Sequence, residues 1–370
     1  MSSKYKRYCL SFLFIAILSI DCLFSTTVQA AQNVSTPLKI GFIMVGPVTD
    51  MNWSQAHEQG RKFLESTLKN KVQTTVAENV PENAEVERVL EKMIAQGNKL
   101  IFTTSFGFFE PALRVAARHP EVIIMQCQRP TPPLVKNVGT YYANQFEPMY
   151  VAGVVAGRMT KTGKIGCVAG HPIPQILTCL NAFTLGARSV NPKVKVKVVW
   201  TGNWVDPATE AEATKGLIDA GVDVVIPFAS VAVIETAERL GAYSIGTQVD
   251  MSKIAQKGWL TGQRWIWGPL YVRIVESVQN HTWKPGDERF SMKEGYVDIS
   301  PFGPAVPEVV RKEANVVRKE IMDGKLVVFK GPLKDRDGIV RIPVGKVADS
   351  SFAETTDWLV PGVEGSIPKK

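Results

Sequence analysis

The residues of this chain best placed to do chemistry are aromatic rings with amide, hydroxyl or carboxylate neighbours. Trp53 follows Asp50 and Asn52, Phe106 follows Ser105, and Trp204 follows Asn203. Asp250 precedes Met251-Ser252, and Trp265 and Trp267 stand one residue apart. A flat solute held between such rings gains apolar burial and about 0.5–1.5 kcal/mol per ring pair beyond it. Asn offers both donor and acceptor, and a carboxylate offers acceptors. The mixed edge of a nucleobase is chemistry that these groups match. Each residue also has a plainer use. Asp50 and Asp206 sit where helix caps are expected, and Asp250 where a turn is. Trp is highly buried on average whatever its role.

Catalytic patterns do not emerge. Thr162-Gly163-Lys164 lacks the glycine spacing of a phosphate loop, and His57-Glu58 has no second His at zinc-binding spacing. Thr103 occupies the place where a nucleophile elbow around Ser105 would carry Gly. The four histidines, His57, His119, His171 and His281, are scattered. Of these only His171 falls in a loop expected to face a cleft. Binding without catalysis, and without a metal or cofactor, is the expectation.

The elements that must position these residues read as a repeat. The apolar run Lys39 to Gly46 is a strand, and Trp53 to Leu68 is helical. Val72 to Ala77 alternates as a strand does. Asn83 to Gln96 is a helix stopped by Gly97, and Leu100 to Thr104 is a buried strand. Alternation of this kind implies a parallel sheet with helices on its faces. The series then recurs. Lys164-Ile165-Gly166 stands 125 positions after Lys39-Ile40-Gly41, Asn203 and Gly221 stand 124 after Asn79 and Gly97, and Ser230 stands 125 after Ser105. Two similar α/β lobes follow, with a ligand crevice at the carboxyl ends of their strands. The first lobe is expected over 38–160 with about 264–287 returning to it. The second is expected over 161–263 with about 288–345, crossing back near Gln263 to Gly268. Pro307 to Met322 reads as a helix, and 346–370 as an irregular tail.

The N-terminus carries Lys4, Lys6 and Arg7, an apolar run from Cys9 to Ile20, and Val28-Gln29-Ala30. This is the pattern of a cleaved secretory leader over 1–30; the run is short for a membrane span. Cys22 would be the anchor of a lipoprotein, but Asp21 before it disfavours that alternative. The remainder of the 370 residues suffices for two domains with their own cores. The formal net charge of +8 is dispersed, without a basic block, so nucleic acid is not an expected partner. Three cysteines remain beyond the leader, Cys127, Cys167 and Cys179; a Cys167–Cys179 disulfide is conceivable and buried free thiols are the ordinary reading.

Asp50-Met51-Asn52-Trp53, Glu78-Asn79-Val80-Pro81, Thr103-Thr104-Ser105-Phe106-Gly107-Phe108, Tyr150-Val151-Ala152-Gly153, Asn181 through Arg188, Trp204-Val205-Asp206-Pro207 and Asp250-Met251-Ser252-Lys253 together resemble the basic-membrane-protein (BMP) family of ABC-transporter substrate-binding proteins, which includes purine and nucleoside receptors. The resemblance runs from about Leu38 to Gly338. It implies a type I periplasmic binding fold with a hinge, capture of a purine nucleobase (adenine-like) or nucleoside, and delivery to membrane permease subunits; the leader points to the periplasm, and a monomer is the default for a receptor that must open and close. It implies that Trp53 and Phe106 stack on the ring and that Asn52, Ser105 and Asp250 are polar contacts, with Trp204 a contact from the second lobe. Asp50, Asn203 and Trp267 complete the expected ligand set. The chain departs from the family at Pro227-Phe228-Ala229-Ser230-Val231-Ala232 and at Trp265-Ile266-Trp267-Gly268, where polar contacts are lost and a ring is added. Ribose hydroxyls need polar partners, so a bare base is favoured over a nucleoside. A different flat aromatic solute, a sensor role, and a nucleoside-acting enzyme are the alternatives.

Overall fold

The computed structural model describes residues 36–128, 135–348 and 352–368. The leader read over 1–30, with Cys22, lies outside the described residues. The chain starts with β1 (Leu38–Ile43), α1 (Trp53–Leu68), β2 (Val72–Ala77), α2 (Glu85–Ala95), β3 (Leu100–Thr103), α3 (Phe109–Arg118), β4 (Ile123–Cys127) and β5 (Val138–Ala143). A helix α4 (Phe146–Met159) leads to β6 (Lys164–Ala169), α5 (Pro174–Val190), β7 (Lys195–Trp200), α6 (Pro207–Asp219), β8 (Val224–Phe228), α7 (Ala232–Leu240), β9 (Tyr243–Gly246) and β10 (Trp259–Trp265). After these come α8 (Trp267–Gln279), β11 (Asp287–Phe290), β12 (Val297–Ile299) and α9 (Glu308–Met322). A hairpin of β13 (Leu333–Lys334) and β14 (Val340–Ile342), then α10 (Phe352–Thr355) and β15 (Val363–Glu364), end the chain.

Among the described residues these strands form a six-stranded sheet, β11-β5-β4-β3-β1-β2, and a seven-stranded sheet, β12-β10-β9-β8-β6-β7-β15. The fold is α/β with parallel sheets in two lobes; within these two sheets β12 alone runs antiparallel, against β10. The first five strands of each lobe have one order, 2-1-3-4-5, so the repeat in the sequence is a repeat in space. Apolar spacing makes the helices one-faced: Ala56, Gly60, Leu64 and Leu68 form the buried row of α1, and Val86, Leu90 and Met93 that of α2. The paired serines have a shared cause. The Ser105 hydroxyl donates to Glu82 at 2.6 Å, and Gly107 N–H donates to the same oxygen at 2.8 Å. In the second lobe the Ser230 hydroxyl and N–H both donate to buried Glu210. Each third strand is thus ended by a hydroxyl pinned to a carboxylate.

The chain passes between the sheets three times. α4 follows β5 of the first sheet yet packs on α5, α9, β10 and β12 of the second lobe. α8 follows β10 of the second sheet yet packs on α1 of the first. The third passage runs from β11 to β12. The passages are hydrogen-bonded to one another: Asn144 N–H donates to Phe290 O at 2.8 Å and Ile266 N–H to Tyr296 O at 2.9 Å. Glu147 accepts Met292 N–H at 2.7 Å, and burial pushes its pKa up to about 6.

Three details differ from expectation. Gln263 to Trp265 are the end of a second-lobe strand, and the crossing is confined to Ile266. β11 (287–290) belongs to the first sheet, because it pairs in parallel with β5. The tail is not irregular throughout: β15 pairs in parallel with β7, and Trp358, Leu359 and Val360 are buried. Polar residues with Gly and Pro make up most of 346–370, which hid this apolar triplet. All three described cysteines are buried free thiols, and burial pushes each above its usual range.

α4 and α5 approach closely enough that glycine is required. A Cβ at Gly153 would lie 2.1 Å from Phe183 O, and one at Gly186 2.1 Å from Tyr150 O. Gly153→Ala should therefore destabilise the protein by at least about 1–3 kcal/mol. Gly216 is interior to α6 with open space around it, so Gly216→Ala should stabilise by about 0.5–1 kcal/mol. Urea unfolding of both variants checks the opposite signs.

Candidate ligand-binding site

The carboxyl ends of both sheets meet at a cluster of rings. Trp53 starts α1, and its indole N–H donates to Thr104 O at 2.6 Å. His57, one turn on, lies edge-on to Trp53 at 4.7 Å and stacks on Trp267 at 5.4 Å with 4° between planes. Trp267 also stacks on Trp265, at 4.5 Å and 16°. Trp265 meets Trp53 edge-on at 5.8 Å and Tyr142 at 5.3 Å. Residues from the two lobes therefore make one aromatic wall. Trp265 is oriented by Gln248, which accepts its indole N–H at 2.5 Å and its backbone N–H at 3.0 Å. Gln248 itself is held at φ 72°, in the left-handed region, by Gln263 accepting its N–H at 3.0 Å. Gly60 admits α8: a Cβ there would lie 2.8 Å from Trp267 Cβ.

Asn52 joins the lobes directly. Its amide Nδ2 donates to Ala229 O, at the end of β8, at 2.7 Å. Its Oδ1 is buried without a hydrogen-bond partner in the protein. The same holds for His57 Nε2, Tyr142 Oη, Gln175 Oε1, Gln263 Nε2, Trp267 Nε1 and Arg289 Nη2. An unpaired buried polar atom costs about 1–3 kcal/mol. Seven such atoms stand on or beside one ring cluster, a lining of donors and acceptors that suits a flat solute with donors and acceptors of its own.

The expected residues distribute unevenly. Asn52, Trp53 and Trp267 belong to this cluster. The Ser105 hydroxyl is engaged by Glu82, and Phe106 follows it half-buried. Asp50 accepts the N–H groups of Asn52, Ser54 and Gln55 at 2.8–2.9 Å, so both its oxygens hold the start of α1. Asp250 accepts Ser252 N–H at 2.9 Å in a turn and is exposed. Asn203 is exposed, and Trp204 meets His171 edge-on at 5.0 Å. Asp206 caps α6, accepting Thr209 N–H at 3.2 Å. The plainer roles hold for all three aspartates. His57, Tyr142, Gln175, Gln248, Gln263 and Arg289 went unnoticed as site residues. Gln248 lies in a strand-end loop and Gln175 opens the helix that follows one, so both were open to notice on that ground; nothing local marks the others. No cluster of metal-binding side chains occurs among the described residues, and none of their helices is long and apolar enough to cross a membrane.

Two lobes of parallel sheet, joined by three passages and packed together on a cluster of rings, define a solute-binding protein with the type I periplasmic fold. The chain belongs to the Bmp family: residues 38–328 match the model for PnrA-like ABC transporter substrate-binding proteins. It is 39% identical to the purine-binding protein of Brucella abortus, over 92% of this chain and 96% of that one. It is 30% identical to a Haloferax volcanii protein named as a candidate ABC-transporter glucose-binding protein, over 93% of this chain and 84% of that one. Its fold is shared with an ABC transporter solute-binding protein of Aeropyrum pernix (TM-score 0.69, 18% identity, covering 78% of this chain and 92% of that one). The counterpart from Conexibacter woesei gives a TM-score of 0.66 at 20% identity, covering 78% and 97%.

His57 is fully buried with Nδ1 2.5 Å from the Tyr271 hydroxyl, and burial pushes its pKa down to about 3. The unfolded chain takes up this proton near pH 6.5 while the native state does not. The contribution is complete above about pH 6.5 and is lost as pH falls toward about 3. In His57→Gln protein the acid-side loss should be shallower by up to about 1.4 kcal/mol per pH unit, measured by urea unfolding at about pH 7 and about pH 5.

Proposed function

We propose that this substrate-binding protein captures a purine base at the ring cluster and presents it to the permease of an ABC importer. The observation that carries the reading is the wall of Trp53, Trp265, Trp267 and Tyr142 with Asn52 bridging the lobes beside it. The name and 39% identity of the Brucella abortus relative support the choice of purine over sugar. Asn52, Trp53, Phe106 and Trp267 are the ligand contacts from the expected set, to which Trp265 and Tyr142 are added. Asp50 and Asp250 act through the turns they hold. Binding proceeds without catalysis. The protein works as a monomer in the periplasm after removal of its leader, with lobes bounded near residues 143–146, 266 and 291–296. A solute that contacts both lobes favours the closed arrangement by its differential affinity, and the closed surface is what the permease reads.

The test is thermal unfolding of the mature protein with adenine, guanine, hypoxanthine, xanthine, adenosine and glucose. A purine at 100 times its Kd should stabilise by about 2.7 kcal/mol. Trp53→Ala should weaken that purine about tenfold or more, since a lost ring stack of about 1.4 kcal/mol is a factor of ten. Stabilisation by glucose and by no purine overturns the reading.

A further inference from the structure

The family match ends at residue 328, yet the segment beyond it reaches the residues that back the ring cluster. β15 joins the second sheet at β7, and Asn181 fixes the preceding stretch, donating to Trp358 O at 2.9 Å and accepting Val360 N–H at 2.9 Å. α10 packs on α5. From this anchorage Glu354 extends between the lobes. One carboxylate oxygen accepts Arg289 Nη1 of the first lobe at 3.0 Å. The other accepts the side-chain amide of Gln175, at the start of α5 in the second lobe.

This carboxylate determines what its two partners present elsewhere. A carboxylate ion only accepts, so Gln175 must turn its NH2 toward Glu354 and is left showing Oε1, an acceptor. Arg289 gives Nη1 to Glu354 and Nε to Asp287 at 3.0 Å, and is left with Nη2, a donor. Gln175 Oε1, Arg289 Nη2 and the hydroxyl of Tyr142 are all buried and unpartnered. They lie together: the Arg289 guanidinium carbon is 5.7 Å from the centre of the Tyr142 ring, which itself packs on Trp265. Tyr142 and Arg289 are paired at the carboxyl ends of β5 and β11, and Gln175 follows the loop at the carboxyl end of β6. All three thus stand at the carboxyl ends of their sheets, the side on which the ring cluster lies.

We infer that Arg289, Gln175 and Tyr142 form a polar subsite that reads the lactam edge of an oxopurine, and that Glu354 is the positioning residue that sets its polarity. A lactam places a carbonyl acceptor beside an N–H donor, matching Arg289 Nη2 and Gln175 Oε1. The corresponding edge of adenine offers an amino donor beside a ring-nitrogen acceptor, the reverse order, and leaves both protein groups facing their own kind. This deepens, and rests on, the reading of the solute as a purine.

Calorimetric titration of the full mature chain with hypoxanthine and with adenine tests it. The wild type should bind hypoxanthine at least about tenfold more tightly, equal to about 1.4 kcal/mol. Glu354→Gln, which can donate as well as accept, should collapse that ratio to about threefold or less, a change in selectivity that simple loosening of the fold would not produce. Gln175→Met, which removes the acceptor at similar length, should collapse it too, and decides the matter if Glu354→Gln does not fold. Adenine bound as tightly as hypoxanthine by the wild type, or a ratio unchanged in the folded variants, overturns the subsite and leaves purine capture standing. Binding of neither hypoxanthine nor adenine, with no stabilisation by guanine or xanthine, instead overturns the purine reading itself.

Discussion

The stack of Trp265 on Trp267 is the contact on which the rest of this architecture turns. One ring ends a strand of the second lobe and the other begins a helix of the first, with Ile266 alone between them. At 4.5 Å the two rings are in van der Waals contact, so the place where the chain changes lobes is also the place where the lobes are packed. His57 backs the stack from α1, and Trp53 and Tyr142 close it at the edges. A helix that enters its lobe through a buried ring has little freedom of position. Gly60 and Gly268, each facing a ring of the opposite helix, are there because α1 and α8 must come close for that entry.

Around this contact the exchange of helices makes a hinge with internal order. α4 and α8 each serve the sheet that did not lead into them, and the three passages bond to one another through backbone groups. Such passages can rotate together while each lobe keeps its core, which is the usual mode of hinge closure about a solute. The ring cluster forms where both sheets present their strand ends, and there Asn52 of the first lobe donates to Ala229 O of the second.

Much of this was legible in the sequence, and the reason is locality. Hydrophobic period and glycine stops are properties of a few neighbouring residues, and they place α1 and β2 at their observed bounds. The offset of about 125 residues between lobes was legible too, and the serine pair in it proved to mark a hydroxyl–carboxylate pin in each lobe. The carboxylates themselves were not foreseen, because Glu82 and Glu210 stand at unlike distances from their serines. The ring cluster was read in part. Asn52 and Trp53 stood out by type and by place in a loop, and the aspartates drew notice for chemistry when their geometry is that of caps and turns. His57, Arg289 and Glu354 gave no sign. A histidine on a helix face, an arginine on a short edge strand and a glutamate in a polar tail look ordinary until distant segments are brought against them.

The bridge from Asn52 has a consequence for how such a protein changes over generations. Its acceptor in the second lobe is a main-chain carbonyl, that of Ala229. Every residue type carries that group, so substitution of the side chains along 228–232 leaves the interlobe bond in place. Closure and selectivity are thereby separable. The loop is free to drift toward a new solute while the protein retains the means to shut upon it.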